Sequence, residues 1–278
     1  MRWTRRTGPS DVEDRRGARP ARAGLRLGLG AVFVLLLLSV VFNQDFFSLL
    51  GGGEAVIPQG GEATATTSTE EDRLAQFVEF IVGDAQDVWT GILGSDYRRA
   101  RLVLFRGAVQ SGCGFAEAAM GPFYCPADER VYIDLGFYDD LQHRFGAPGD
   151  FAQAYVIAHE IGHHVQHVLG IESAMRRATA QRPDRANALS VALELQADCF
   201  AGVWGYSTAQ RDLLERGDVE EGLGAAAAVG DDRIQRQTTG EVRPESFTHG
   251  SAADRAAWFR RGLESGQPNV CDTFGGRL

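Results

Sequence analysis

Residues 159–163 read His-Glu-Ile-Gly-His. On a helix, positions four apart share a face, so His159 and His163 can offer ring nitrogens to one ion. Glu160 follows the first histidine directly, and its carboxylate can reach a water beside that ion without being a ligand. Two imidazoles leave zinc under-coordinated, since a catalytic zinc site has three protein ligands and one open position. Further along, 193–198 reads Leu-Glu-Leu-Gln-Ala-Asp. There Glu194 is the candidate third ligand. Asp198, one turn later, can hydrogen-bond and orient an imidazole. Such a set suits hydrolysis by an activated water, with Glu160 as general base.

Two helices must carry these groups. Apolar spacing predicts the first over 152–169, ending before Gly170, and the second over 187–204. His167 falls on the stripe of His159 and His163 and is expected to cap or face solvent, whereas His164 is expected to pack. A helix is also predicted from Glu71 to about Leu93, with two more over 219–234 and 251–263. The runs 102–109 and 131–135 are rich in β-formers and read as strands.

The 278 residues allow one sizeable domain with appendages. Every positive side chain is arginine, 28 in all, and the net charge of −9 argues against a nucleic-acid partner. Charge is unevenly spread: residues 1–42 hold eight arginines and three acids, and the rest is strongly acidic. Between the two lies the apolar run 25–42. As a helix it spans roughly 27 Å, slightly short of a hydrocarbon core of about 30 Å. The expected organisation is therefore a basic cytoplasmic N-terminus (1–24), a single transmembrane anchor (25–42), a Gly- and Thr-rich linker (43–70) and an extracytoplasmic domain (71–278). A cleaved signal peptide is the competing reading, although no small-residue cleavage site follows the run. Four cysteines, Cys113, Cys125, Cys199 and Cys271, permit two disulfides on an exported domain. Cys113 with Cys125 closes a short loop, which leaves Cys199 with Cys271. Buried free thiols remain the alternative.

The segments HEIGHHVQ (159–166) and ELQADCFAG (194–202) resemble the gluzincin metallopeptidases. With VEDRRG (12–17), GPFYCPADERVYIDLGFYDDL (121–141), GDDRIQ (230–235) and the stretch 246–262, the likeness is to a bacterial neutral zinc metallopeptidase family, over nearly the whole chain. The resemblance implies an α+β, zincin-like fold, with a small mixed sheet packed on helices. It implies one zinc held by His159, His163 and Glu194, Glu160 as base, Asp198 bonded to a ligand histidine, and a peptide or protein substrate. An oxyanion would need a further donor. His249, in a Thr-His-Gly loop, and Tyr132, on a strand, are the candidates; their alternative roles are a backbone-bonding loop residue and an amphipathic sheet residue. Substrate pairing with a sheet edge is expected, with 131–134 as the candidate edge. A catalytically silent binding or scaffold module on the same fold is the alternative function.

Overall fold

The structure, a computed structural model, describes residues 1–18 and 69–276. In chain order the described strands and α-helices are β1 (Val12–Asp14), α1 (Thr69–Leu93), β2 (Arg101–Phe105), β3 (Ala108–Ser111), β4 (Gly114–Glu117), β5 (Phe123–Cys125) and β6 (Arg130–Asp134), then α2 (Phe137–His143), α3 (Asp150–Val168), α4 (Ile171–Gln181), α5 (Ala186–Gln210), α6 (Asp218–Ala228), α7 (Asp231–Thr238) and α8 (Ala252–Ser265).

One sheet has the order β1-β2-β6-β5. β1, β2 and β6 run parallel, and β5 returns antiparallel along β6. A parallel core strand is covered on both faces and reads as an unbroken apolar run; Leu102 to Phe105 are all buried accordingly. Leu102, Leu104, Val131 and Ile133 face the helices, whereas Val103, Phe105 and Tyr132 form a smaller core with Val109 and Ala116 of the β3–β4 hairpin. A disulfide ties Cys113 at the hairpin turn to Cys125 on β5.

Helix α3 runs through the centre, apolar on most of its surface, and packs against α5. The approach is close at Gly162, where an added Cβ would stand 2.9 Å from the Ala197 carbonyl oxygen. α5 meets α8 at another close crossing: a Cβ at Gly262 would lie 2.0 Å from the carbonyl oxygen of Cys199. A second disulfide joins Cys199 on α5 to Cys271 in the C-terminal segment.

Several expectations are corrected. The transmembrane helix placed at 25–42 lies outside the described residues, as does nearly all of the linker at 43–70. Among the described residues no helix is long and apolar enough to cross a membrane, and the described fold is a mixed helix-and-sheet one rather than a zincin-like domain with an observed membrane helix. Residues 1–18 belong to the same compact unit as the domain, and β1 pairs with β2 as Val12 with Leu102 through Asp14 with Leu104. Residues 12–14 are thus part of the domain's own sheet, which the division into a head at 1–24 and a domain at 71–278 did not anticipate. The head's arginines are ion-pair partners: Arg6 bonds Asp87 at 2.9 Å, and Arg16 bonds Asp14 and Asp72 at 2.7 and 3.1 Å.

The run 102–109 is two strands, broken where Gly107 takes φ 72° and donates its N–H to Asp134. The helix expected over 219–234 divides into α6 and α7 at Gly230, whose Cα hydrogen is all that fits beside the Ala252 backbone. Residues 131–134 are no edge, because β6 is flanked by β2 and β5.

Candidate metal centre

One helical turn on α3 presents His159 and His163, and α5 brings Glu194 across from them. Glu194 Oε2 lies 3.2 Å from His159 Nε2, and its Oε1 lies 3.4 Å from His163 Nε2. Donors about 2.1 Å from a tetrahedral zinc stand about 3.4 Å apart. The spacing therefore fits that ion, and the three residues are one of the groups able to hold a metal. Both Nδ1 atoms are engaged elsewhere, which turns both Nε2 atoms toward the same point.

The engagements differ. His159 Nδ1 lies 2.8 Å from Asp198 Oδ1, while His163 Nδ1 lies 2.8 Å from Gln166 Oε1. Asp198 is fully buried and also accepts from the Tyr155 hydroxyl and from two guanidinium nitrogens of Arg255, each at 2.9 Å. Burial disfavours a charged carboxylate there, but Arg255 and His159 outweigh it and hold Asp198 below the usual range. Burial likewise opposes a charged His159, and the Asp198 and Glu194 carboxylates overcome it, raising its pKa to about 9 in the metal-free protein. Glu194 is buried between two imidazoles, whose attraction outweighs desolvation and pulls its pKa far down.

Glu160 is buried beside these residues, and desolvation raises its carboxyl pKa. It lines a cleft of about 570 Å³ with His159, His163 and Glu194. Phe123 and Tyr124 of β5 form part of the wall, as do Met120, Pro122, Phe137 and Phe145. His249 also reaches this cleft. Its Nδ1 bonds Asp231 at 3.1 Å, and that partner raises its pKa. Asp231 further accepts the N–H groups of Thr248, His249 and Gly250, so a single carboxylate shapes the loop.

Tyr132 does not join the set. Its ring stacks on Phe123 in the smaller core and its hydroxyl donates to Asp128. His164 packs as expected, fully buried, with Nε2 donating to the Arg98 carbonyl. His167 pairs with Glu172 at 3.1 Å and Glu129 at 3.5 Å, away from Glu194. Sequence reading missed Tyr155, Gln166, Asp231 and Arg255. Tyr155 and Gln166 sit four and three residues from ligand candidates on the same helix, a signal that was available. Arg255 lies in the stretch 246–262 that carries the family likeness, but nothing in its local spacing marked it among 28 arginines.

Residues 1–274 match a family described as "Putative neutral zinc metallopeptidase". The chain is 47% identical over 287 residues to the uncharacterized protein YpfJ of Escherichia coli strain K12, covering 99% of each. It is 46% identical over 220 residues to an uncharacterized protein of Mycobacterium tuberculosis strain H37Rv, covering 75% of this chain and 73% of that one. No solved structure matches.

Proposed function

This chain belongs to the neutral zinc metallopeptidase family, and we propose that it hydrolyses peptide bonds with zinc held by His159, His163 and Glu194 and with Glu160 as general base. The observation that carries this reading is the convergence of three donors around one point, with a second, non-ligating carboxylate, Glu160, buried in the same cleft. A structural zinc site has no need of that carboxylate.

When bound, zinc supplies Lewis acidity toward a scissile carbonyl and an attacking water. Glu160 takes the water's proton. The same group can then pass that proton to the leaving amine. His249, whose protonated form Asp231 favours, is the candidate donor to the developing oxyanion. Asp198 and Gln166 hold the two imidazoles in the tautomer that leaves Nε2 facing the ion.

β5 lies at the end of the sheet and contributes to the cleft wall, which supports backbone pairing with an extended peptide and hence cleavage of internal bonds. The phenyl and methionyl groups of the wall favour apolar side chains near the scissile bond. Two disulfides support a domain that works in an oxidising compartment.

The test is zinc-loaded protein against a broad peptide library, beside Glu160→Gln. The expected result is cleavage by the wild type, a loss of about 10²–10⁴-fold in the variant, and equal zinc content in both. A zinc-loaded wild type that cuts nothing refutes the enzyme reading and favours a silent binding module.

A further inference from the structure

The two imidazoles of the proposed centre are supported by unlike partners. His159 leans on a carboxylate. His163 leans on a neutral amide, and that amide begins a chain of hydrogen bonds with one allowed direction.

The direction can be read from its far end. The Cys271 carbonyl oxygen can only accept, so the Gln196 group 2.9 Å away must be its NH2. That fixes Gln196 Oε1 on the other side, 3.2 Å from the Gln166 amide. Gln166 must then also present its NH2, which donates as well to the Leu193 carbonyl at 2.7 Å. Its Oε1 is left facing His163 Nδ1 at 2.8 Å. An amide oxygen requires a proton on that nitrogen, so the lone pair of His163 falls on Nε2, toward Glu194. Flipping Gln196 would set two acceptors against each other at one end and two donors at the other, and flipping Gln166 would set its oxygen against both the Leu193 carbonyl and Gln196 Oε1. Both glutamines are buried, Gln166 fully, so water cannot relieve a wrong orientation.

The anchor of this chain is covalent. Cys271 is bonded to Cys199, which lies three residues beyond Gln196 on α5, the helix that carries Glu194. We propose that Gln166 and Gln196 are positioning residues for the metal centre, and that the Cys199–Cys271 crosslink, by holding the Cys271 carbonyl, is part of what fixes the His163 imidazole. This rests on the ligand assignment above. It adds that an oxidised C-terminal segment is needed for full metal affinity. The segment keeps a second tie to α5, from Thr273 Oγ1 to the Ala192 carbonyl, so loss of the crosslink does not release it outright.

The experiment measures zinc affinity of the full-length chain by chelator competition, and visible absorption of its cobalt(II) form. The variants are Gln166→Leu, Gln166→Glu, Gln196→Leu and the pair Cys199→Ser/Cys271→Ser. Gln166→Leu is expected to weaken zinc about 10- to 100-fold and to shift the cobalt bands. Gln166→Glu keeps an acceptor for Nδ1 but sets its other oxygen against the Leu193 carbonyl and Gln196 Oε1, so it is expected to lose melting temperature and still to retain more zinc affinity than Gln166→Leu. Gln196→Leu and the serine pair should each weaken zinc several-fold, and together by less than the product of the two, because they cut one chain.

Unchanged affinity in Gln166→Leu overturns the proposal. So does equal loss in Gln166→Leu and Gln166→Glu with a matching fall in melting temperature of the metal-free protein, which marks a packing role only. Full multiplicativity of Gln196→Leu and the serine pair overturns the part played by the crosslink. A wild type that binds no zinc fails differently: it removes the ligand assignment itself, and the relay with it.

Discussion

Replacing Arg255 by methionine keeps much of the side chain's volume and removes its charge. In the wild type the guanidinium is 4% exposed and grips Asp198, itself fully buried, through Nε to Oδ2 and Nη2 to Oδ1. Without it a buried carboxylate retains only Tyr155 and His159 as donors. Breaking a buried pair from one side costs about 3–5 kcal/mol, which for a chain of this size lowers the melting temperature by about 6–20 °C. The cost depends on pH with a definite sign. His159 has its pKa raised to about 9 in the metal-free protein, so its contribution is complete below the unfolded value near 6.5 and fades as pH rises through 9. While protonated it still compensates Asp198 in part. The deficit of Arg255→Met should therefore grow on passing pH 9. Calorimetry of the metal-free protein at pH 7 and pH 10 reads this directly, and Arg255→Met/Asp198→Asn should recover more than half the loss. A deficit under about 1 kcal/mol, or no recovery in the double variant, would refute the account of Asp198 as a charge sustained by Arg255.

Gly162→Ala should cost about 1–3 kcal/mol and loosen zinc, since the new methyl meets the Ala197 carbonyl oxygen and pushes α5, with Glu194 and Asp198, away from α3; unfolding curves and chelator competition measure the two effects, and an undisturbed variant would contradict the close crossing. His164 is held neutral by burial, with its pKa lowered and both ring nitrogens bonded, to the Arg98 carbonyl and the Tyr124 hydroxyl. Its contribution is complete above the unfolded value near 6.5 and is lost as pH falls from there toward the lower folded value. The pH dependence of unfolding between pH 5 and 7 should be shallower in His164→Asn, and an identical slope would count against a neutral imidazole at this position.

Groups whose partners lie a few residues away were the legible ones. His159 and His163 declare themselves by a spacing of four on an apolar helix, and Glu194 with Asp198 repeats that spacing on the next. The cysteine pairs were legible because one loop was short and only two thiols then remained. Tyr132 misled because β6 is buried on both faces, so alternation carried no sign of which face meets the cleft. The helix over 219–234 looked continuous because its break is tertiary: Ala252 occupies the space a side chain at Gly230 would need.

The basic head exposes the deeper ambiguity. Seven arginines before an apolar run and an acidic body after it suit a charge step across a membrane, and they suit equally a basic segment docked on an acidic surface. Net charge is the same in both cases. What separates them is where the partners sit: Arg6 bonds Asp87 at 2.9 Å, and Arg16 reaches Asp72 at 3.1 Å. Val12–Asp14, too short for a periodicity to register, is paired residue by residue with β2. A three-residue strand gains its stability from a neighbour some ninety positions away, and no window of sequence around it holds that information.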